Sequence, residues 1–424
     1  MTIIMSNNAI YKKYPKYKDS GIEWAGKVPE SWKVNRLKTF CAFIYGDSLA
    51  NEDRVEGGIP VYGSNGIVGY HNRAITHKPC IIIGRKGSYG KVNFSQTECF
   101  PIDTTYFVDG RSAKCDLKWL SYVLPLLDLD KFSKDTGVPG LNREDAHDKR
   151  VPVPESDVQK VIADYLDRKT AQIDDLIAKK ERMIELLKEE RTAIINQAVT
   201  KGLDPKIELK DSGIEWLGKV PKYWEVVPLT KYLESIADYR GKTPEKNEIG
   251  GVFLVTARNI KGGKVDYSLS QEFVDLNEYA MIMSRGLPRI GDVLLTMEAP
   301  LGEVANVDKE EIALAQRVIK LRGKENIVDN YFLKYWMMSA SFQNHLLSLA
   351  TGSTALGLKA SKLNLLRLAM PPFIEQIEIV TSIENQSRKI EKTIEKCLQE
   401  IKLLQEYRTA LISEVVTGKF CIYE

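Results

Sequence analysis

The chain has 424 residues, 43% apolar, 28% charged and 9% aromatic, with a formal net charge of +3. At roughly 150 residues per domain this is material for about three domains; it excludes wholesale disorder and a polycation, so any nucleic-acid binding must come from local patches. No apolar run approaches the ~18 residues of a membrane span, and the stretch Met1 to Lys18 lacks the apolar core of a secretory signal, so a cytoplasmic protein is expected.

Cys41, Cys80, Cys99, Cys115, Cys397 and Cys421 show no C-x-x-C spacing, and His71, His77, His147 and His345 are scattered. Reduced thiols are expected, with no disulfide framework and no metal site.

In chain order, the first feature is the box KDSGIEWAGKVPESW at 18–32. It returns as KDSGIEWLGKVPKYW at 210–224, identical at 12 of 15 positions with an offset of 192. Between the box and the first helical stretch, short β-like runs alternate with Gly-rich turns: Ile59–Tyr62, Ile67–Tyr70, Cys80–Ile83, Val92–Phe94 and Thr105–Val108. A helix is predicted over Leu117–Leu127, followed by a Thr-Gly loop, Thr136 to Asn142.

Val158 to Thr200 contains neither Gly nor Pro, and Ser156 is placed to cap it after Pro154. Leu166, Ile173, Ile177, Ile184, Leu187, Ile194 and Ala198 form an a/d heptad seam. Ile383, Ile390, Ile394, Ile401, Leu404, Leu411 and Val415 repeat it position for position at an offset of 217. Each stretch would be about 64 Å long at 1.5 Å per residue. A long helix with one apolar stripe needs a partner, so the two are expected to form an intramolecular coiled coil. Two separate helical hairpins or a homodimer seam are the alternatives, and the sequence leaves the direction of pairing open. The stretches 156–202 and 373–418 carry net charges of zero and −2, leaving +5 elsewhere; they read as solvated rods rather than phosphate-binding arms.

The second middle segment predicts strands at Val252–Thr256, Asp292–Thr296, Glu303–Val307 and Ala315–Leu321 and a helix at Tyr331–Leu349. It too ends in a Thr-Gly loop, Thr351 to Leu356. The two middle segments show little resemblance to each other.

Several loops mix cations, amides, hydroxyls and glycines, which suits DNA: glycines admit the phosphate backbone, Lys and hydroxyls bind phosphate, and Arg, Asn and Gln can read base edges. The candidate contacts are Tyr62, Ser64, Asn65, Arg85, Lys86, Ser88, Tyr89, Lys91, Asn142 and Arg143 in the first half. In the second they are Tyr239, Arg240, Lys242, Thr243, Arg258, Asn259, Lys261, Lys264, Ser353, Thr354, Lys359 and Lys362. Any single such turn is also the ordinary chemistry of a solvated hairpin end; four of them in two duplicated frames strengthen the DNA reading.

Catalytic signatures are missing. Gly241-Lys242-Thr243 lacks the first glycine of a P-loop, where Ile236 stands, and Pro244 follows where a helix should begin. Ala369-Met370-Pro371-Pro372-Phe373 has Met370 in place of the amide an amino-methyltransferase needs. It is expected to be the entry turn of the second helix. Asp204, Glu208 and Lys210 read as a charged linker, and no His-centred triad is visible.

The duplicated boxes, the Thr-Gly loops leading to Pro and a long helix, and the stretch DYRGKTP at 238–244 resemble the specificity subunit of type I restriction–modification systems over essentially the whole chain. The resemblance implies a mixed α/β (α+β) fold with pseudo-twofold internal duplication. Two target-recognition domains would be separated by a long two-helix antiparallel coiled coil. The predicted segments are 18–154 and 210–371 for the recognition domains, and 155–203 and 372–418 for the spacer helices. The resemblance further implies a non-catalytic subunit that reads a bipartite, asymmetric double-stranded DNA site, one domain per half-site. It would dock two modification (methyltransferase) subunits and, through them, restriction subunits. S-adenosylmethionine, ATP and Mg would belong to those partners. The paired helices and the boxes around Trp24 and Trp216 are the implied docking surface, although these tryptophans equally suit capping of each domain's core. A single-chain methyltransferase or nuclease, and a coiled-coil adaptor that binds no DNA, are the alternatives.

Overall fold

The computed structural model of the chain describes residues 13–131, 139–239, 244–247, 250–352 and 356–422. They fall into two units, Met1–Lys180 with Leu398–Glu424, and Glu181–Cys397. Both long helices, Ser156–Lys201 and Phe373–Val416, contribute one segment to each unit.

In the first unit a four-stranded antiparallel sheet runs in the order Ile44–Tyr45, Thr105–Asp109, Cys80–Gly84, Val92–Ser95. Cys80–Gly84 is a continuous apolar run buried at every position, as a strand covered on both faces must be. A second sheet places Ile59–Gly63 between antiparallel Gly66–His71 and parallel Phe100–Pro101. Lys33–Arg36 pairs with Arg150–Val153 and closes the domain at the foot of the first helix.

The second unit repeats this strand order, although the two middle segments show little residue-by-residue likeness. Its four-stranded sheet runs Leu233–Asp238, Val318–Gly323, Val293–Met297, Leu301–Asn306. Its three-stranded sheet places Val252–Val255 between antiparallel Phe273–Val274 and parallel Ala313–Leu314. Glu225–Pro228 pairs with Arg367–Met370 as the closing ribbon.

Two buried glutamines lock the helix starts in the same way. Gln159 Nε2 donates to Pro154 O (2.9 Å) while its Oε1 accepts from the Asp116 amide (2.8 Å), and Asp116 caps Leu117–Val123. Gln376 Nε2 donates to Pro371 O (3.0 Å) and Ile327 O (2.9 Å), and its Oε1 accepts from the Asp329 amide (2.8 Å); Asp329 caps Asn330–Met338. Each amide satisfies backbone groups that burial would otherwise orphan. The Met370–Phe373 stretch is thus the entry turn of the second helix, as expected.

Within each unit the two long-helix segments run antiparallel. In the first unit Arg408 pairs with Asp174 (2.9 Å) and Lys180 with Glu400 (2.5 Å). In the second, Arg191 pairs with Glu391 (3.7 Å) and Cys397 Sγ lies 4.0 Å from Met183 Sδ. Asp174 and Glu391 hold one repeat position and Arg408 and Arg191 another, so the ion pair recurs with the helices exchanged. Leu166, Ile173 and Leu411 are buried in the core of the first unit, with Ile177 and Leu404 packed on it; Ile383 lies in the core of the second. Ile184, Ile390 and Ile401 are also buried, and Leu187, Ile194 and Ile394 half-buried. In each unit the seam residues thus run into that unit's own core.

The boxes seat on helix ends. Trp32 and Trp224 are buried, and Lys419 Nζ donates to Ala25 O (2.6 Å) and Lys27 O (2.7 Å) in the first unit. In the second, Lys201 Nζ donates to Lys219 O. Trp24 and Trp216 are half-buried against the cores, and the Trp216 ring stacks on His345 at 4.5 Å.

Three local expectations are corrected. Tyr331–Leu349 is two helices, Asn330–Met338 and Ala340–Leu349, because buried Ser339 adopts an extended conformation and caps the second through its side chain. The Ala315–Leu321 strand begins only at Val318, because a turn at 315–317 separates Val318–Gly323 from Ala313–Leu314, which serves the other sheet. Ser156 is the first residue of its helix rather than the cap before it.

Candidate nucleic-acid interface

In the first unit, loops separated in sequence meet beside the strand end at Gly84. A Cβ there would fall 2.2 Å from Ser88 O and 3.0 Å from Ser64 O, so glycine is what lets the 64 and 88 turns close on the strand. Lys91 Nζ donates to Asn65 Oδ1 (2.8 Å) and Asn65 O (3.0 Å), tying the two turns together. The third loop joins by a β-bridge between Lys86 and Gly140 and by the Leu141 amide donating to Arg85 O (2.8 Å). Asn142 Oδ1 accepts from the Glu144 amide (2.8 Å), capping the short helix that begins with Arg143.

These loops line a cleft of about 300 Å³ whose wall includes Tyr45, Arg85, Lys86, Tyr106 and Arg143. The guanidinium carbons of Arg85 and Arg143 each lie 5.2 Å from the Tyr45 ring centroid, within cation–π range. Arg85 Nε donates to Asp103 O (3.0 Å), which fixes its stem. Tyr106 donates to Leu141 O (3.1 Å); burial first, and then Tyr45, push its hydroxyl up to about 12, so it stays a donor at neutral pH. Ser64, Asn65, Arg85, Lys86, Ser88, Lys91, Asn142 and Arg143 are thus gathered in one region, and Tyr89 packs partly against the core.

Tyr62 is corrected: it is buried in a small cluster with Cys80, Ile82 and Cys99, and burial raises its phenol, so it presents no side chain to a ligand.

In the second unit Arg258 is exposed, as are Lys261 and Lys264 on the hairpin Ile260–Lys261/Lys264–Val265. Lys264 is engaged by Glu391 (3.1 Å). Lys359 is exposed, while Lys362 Nζ donates to Leu349 O (2.7 Å) and serves its own loop. Asn259 is corrected: it is fully buried, its Oδ1 accepting from the Thr256 amide (2.9 Å) and its Nδ2 donating to Asp266 O (3.0 Å), so it builds the turn and cannot reach a base. Tyr239 is likewise corrected, being buried with its hydroxyl donating to Gly286 O; burial raises that phenol. Arg240, Lys242, Thr243, Ser353 and Thr354, with Thr136, Gly137 and Val138 of the first Thr-Gly loop, lie outside the described residues.

The backbone frame of the first unit's cleft recurs in the second unit. Glu298 is β-bridged to Gly357 and the Leu358 amide donates to Met297 O (3.0 Å), repeating the Lys86–Gly140 and Leu141–Arg85 contacts. Met297 and Glu298 therefore occupy the places of Arg85 and Lys86. Asp238 pairs with Ile319 as Tyr45 pairs with Tyr106. Sequence reasoning missed Tyr45 and Glu298. The offset of 217 extends back to Gly140-Leu141 and Gly357-Leu358 and sets Arg143 against Ala360, but it reaches neither Tyr45 nor Glu298.

The chain matches the type I restriction modification DNA specificity domain over residues 29–186 and 221–402. The chain belongs to that family of specificity subunits. It is 25% identical over 417 residues to the type I restriction enzyme MjaVIII specificity subunit of Methanocaldococcus jannaschii, covering 93% of this chain and 94% of that one. It is 22% identical over 342 residues to the EcoBI specificity subunit of Escherichia coli, covering 77% and 71%. Among solved structures, a chain from work on complex assembly and conformational transition of the type I R-M system superposes with a TM-score of 0.68 at 13% identity, covering 92% and 98%. The HsdS subunit of Thermoanaerobacter tengcongensis superposes with a TM-score of 0.53 at 14% identity, covering 93% and 98%. As a specificity subunit the chain serves DNA-sequence recognition, and the catalysis of type I restriction enzymes lies in other subunits. Among the described residues no helix is long and apolar enough to cross a membrane.

Proposed function

We propose that this specificity subunit reads a bipartite, asymmetric DNA site, with the first unit recognising one half-site and the second the other. The observation that carries the reading is that the two units share a topology while the residues at matching loop positions differ in charge and shape. A common frame with unlike contact residues is what two different half-sites require. Ser64, Asn65, Lys86, Ser88 and Lys91 in the first unit, and Arg258, Lys261 and Lys359 in the second, are the candidates for phosphate and base contact. Cations there would release counterions from the duplex and give binding a steep salt dependence.

In this reading the paired helices and the half-buried Trp24 and Trp216 boxes dock two modification subunits, through which restriction subunits join. The repetition of box and ion pair supports it, since matching surfaces suit two copies of one partner. S-adenosylmethionine, ATP and Mg are assigned to those partners, and the assembly to the cytoplasm, where its DNA is.

The test replaces residues 33–153 with the matching segment of another specificity subunit and sequences the genomic motif that becomes methylated. One half-site is expected to change and the other to persist; a change in both, or in neither, overturns the modular reading. A salt titration of duplex binding by the complex with its modification subunits separates this reading from an adaptor that binds no DNA.

A further inference from the structure

The matching strand ends at Arg85–Lys86 and Met297–Glu298 differ in chemistry in a way that names the groups they select, and this inference rests on the DNA-reading role above. In the first unit the strand end carries Arg85 and Lys86, the facing helix start carries Arg143, and the edge-strand neighbour is Tyr45. The same backbone positions in the second unit carry Met297, Glu298, Ala360 and Asp238. Every cation is replaced by an apolar or acidic residue.

Two features argue that this difference serves a ligand. The backbones of Lys86 and Glu298 are pinned by equivalent β-bridges, so both side chains start from a fixed place. The Glu298 side chain is 46% exposed, and its nearest ion partner, Arg317, stands at 4.0 Å, the loose limit of a pair. Fold stability does not require such a carboxylate. On a surface that meets phosphates it is repelled, unless it accepts from a donor on the bases. The major groove offers two such donors, cytosine N4 and adenine N6, both exocyclic amino groups. The guanidiniums of the first unit suit the opposite edge, the O6 and N7 acceptors of guanine, which arginine takes in a bidentate pair.

We propose that adjoining residues at the strand end select bases in the two units: Arg85, with Arg143, selects guanine in one half-site, and Glu298, at the place of Lys86, selects an exocyclic amino group in the other, where buried Met297 leaves the Arg85 place without a contact. Tyr45 is a positioning residue that holds the two guanidiniums through its ring.

The experiment uses the full chain assembled with its modification subunits and a panel of duplexes carrying every single base-pair change in the methylated motif. Binding is measured at one fixed salt concentration. Glu298→Gln, nearly isosteric, is expected to lower discrimination about 10- to 100-fold at one position of one half-site; whether the favoured base there is cytosine or adenine distinguishes the two sources of the amino group. Arg143→Gln and Arg85→Gln are expected to relax a guanine position in the other half-site by a similar factor, with Arg143→Lys guarding against a folding defect. Tyr45→Leu should weaken the guanine preference alone, leaving discrimination at other positions intact, and Tyr45→Phe should restore it; loss of packing would lower binding to every duplex alike.

Uniform weakening on all duplexes would make these residues phosphate contacts and overturn the assignment, as would unchanged preferences or a change in both half-sites from one variant. If the unaltered complex itself shows no preference among duplexes, the DNA-reading role falls, and this assignment with it.

Discussion

The strands Cys80–Gly84 and Val293–Met297 hold the same place in their sheets, and every side chain in both is buried. One residue beyond the first and at the end of the second, Arg85 stands where Met297 does, and then Lys86 where Glu298 does. Identity is missing in both stretches, but for different reasons. Inside the sheet any apolar residue of suitable volume preserves the fold, so sequence drifts while burial persists. At Lys86 and Glu298 the backbone is fixed by a β-bridge while the side chain leaves the core. The comparison therefore separates positions that must stay apolar from positions that are permitted to differ.

That separation can be broken in order of expected effect. Trp32 and Trp224 fill equivalent places under the two boxes, so Trp32→Ala and Trp224→Ala should each cost about 3–5 kcal/mol; chemical denaturation showing one of them silent would break the equivalence. Gln159→Ala and Gln376→Ala each strand buried backbone groups and should cost about 1–3 kcal/mol, read as faster hydrogen exchange in the mutated unit.

The buried titrating groups should instead set the units apart. Burial holds Lys334 of the second unit down to about 8. A lysine depressed in the fold binds fewer protons there than in the unfolded chain, so this unit should gain stability as pH rises from about 8 toward the ordinary value near 10.4, with a slope of at most about 1.4 kcal/mol per pH unit. Lys334→Met should abolish the gain in urea titrations across that range. For Asp109 of the first unit, burial alone would raise the carboxyl, but Arg111 and the His77 and Arg111 amides outweigh it and hold it below the ordinary range. Its contribution is present above about pH 4 and is lost as pH falls through the depressed value; Asp109→Asn should flatten the acid limb. The smallest effect is expected at the more exposed ion pair, where Asp174→Ala should cost less than about 1 kcal/mol, as thermal melting would show.

The boxes, the heptad seam and most strands of the middle segments were legible because they depend on local pattern. The likeness of the middle segments was not, because it lives in strand order and burial, which no residue-by-residue match records. The cleft was half legible: Arg85, Lys86 and Arg143 advertise themselves as loop cations, whereas Tyr45 enters only through pairing with a strand some 60 residues away. Asn259 misled because an amide suits a base edge and a buried turn equally well. Ser339 broke a helix that its neighbours favour by offering its hydroxyl as a cap.

The division of the chain also bears on synthesis. Glu181–Cys397 is one uninterrupted stretch, whereas the other unit needs Leu398–Glu424 to join its earlier part. On the ribosome the unit begun first is therefore finished last. Its opening box waits, with Trp32 unsealed, until Lys419 emerges to bind the carbonyls of Ala25 and Lys27.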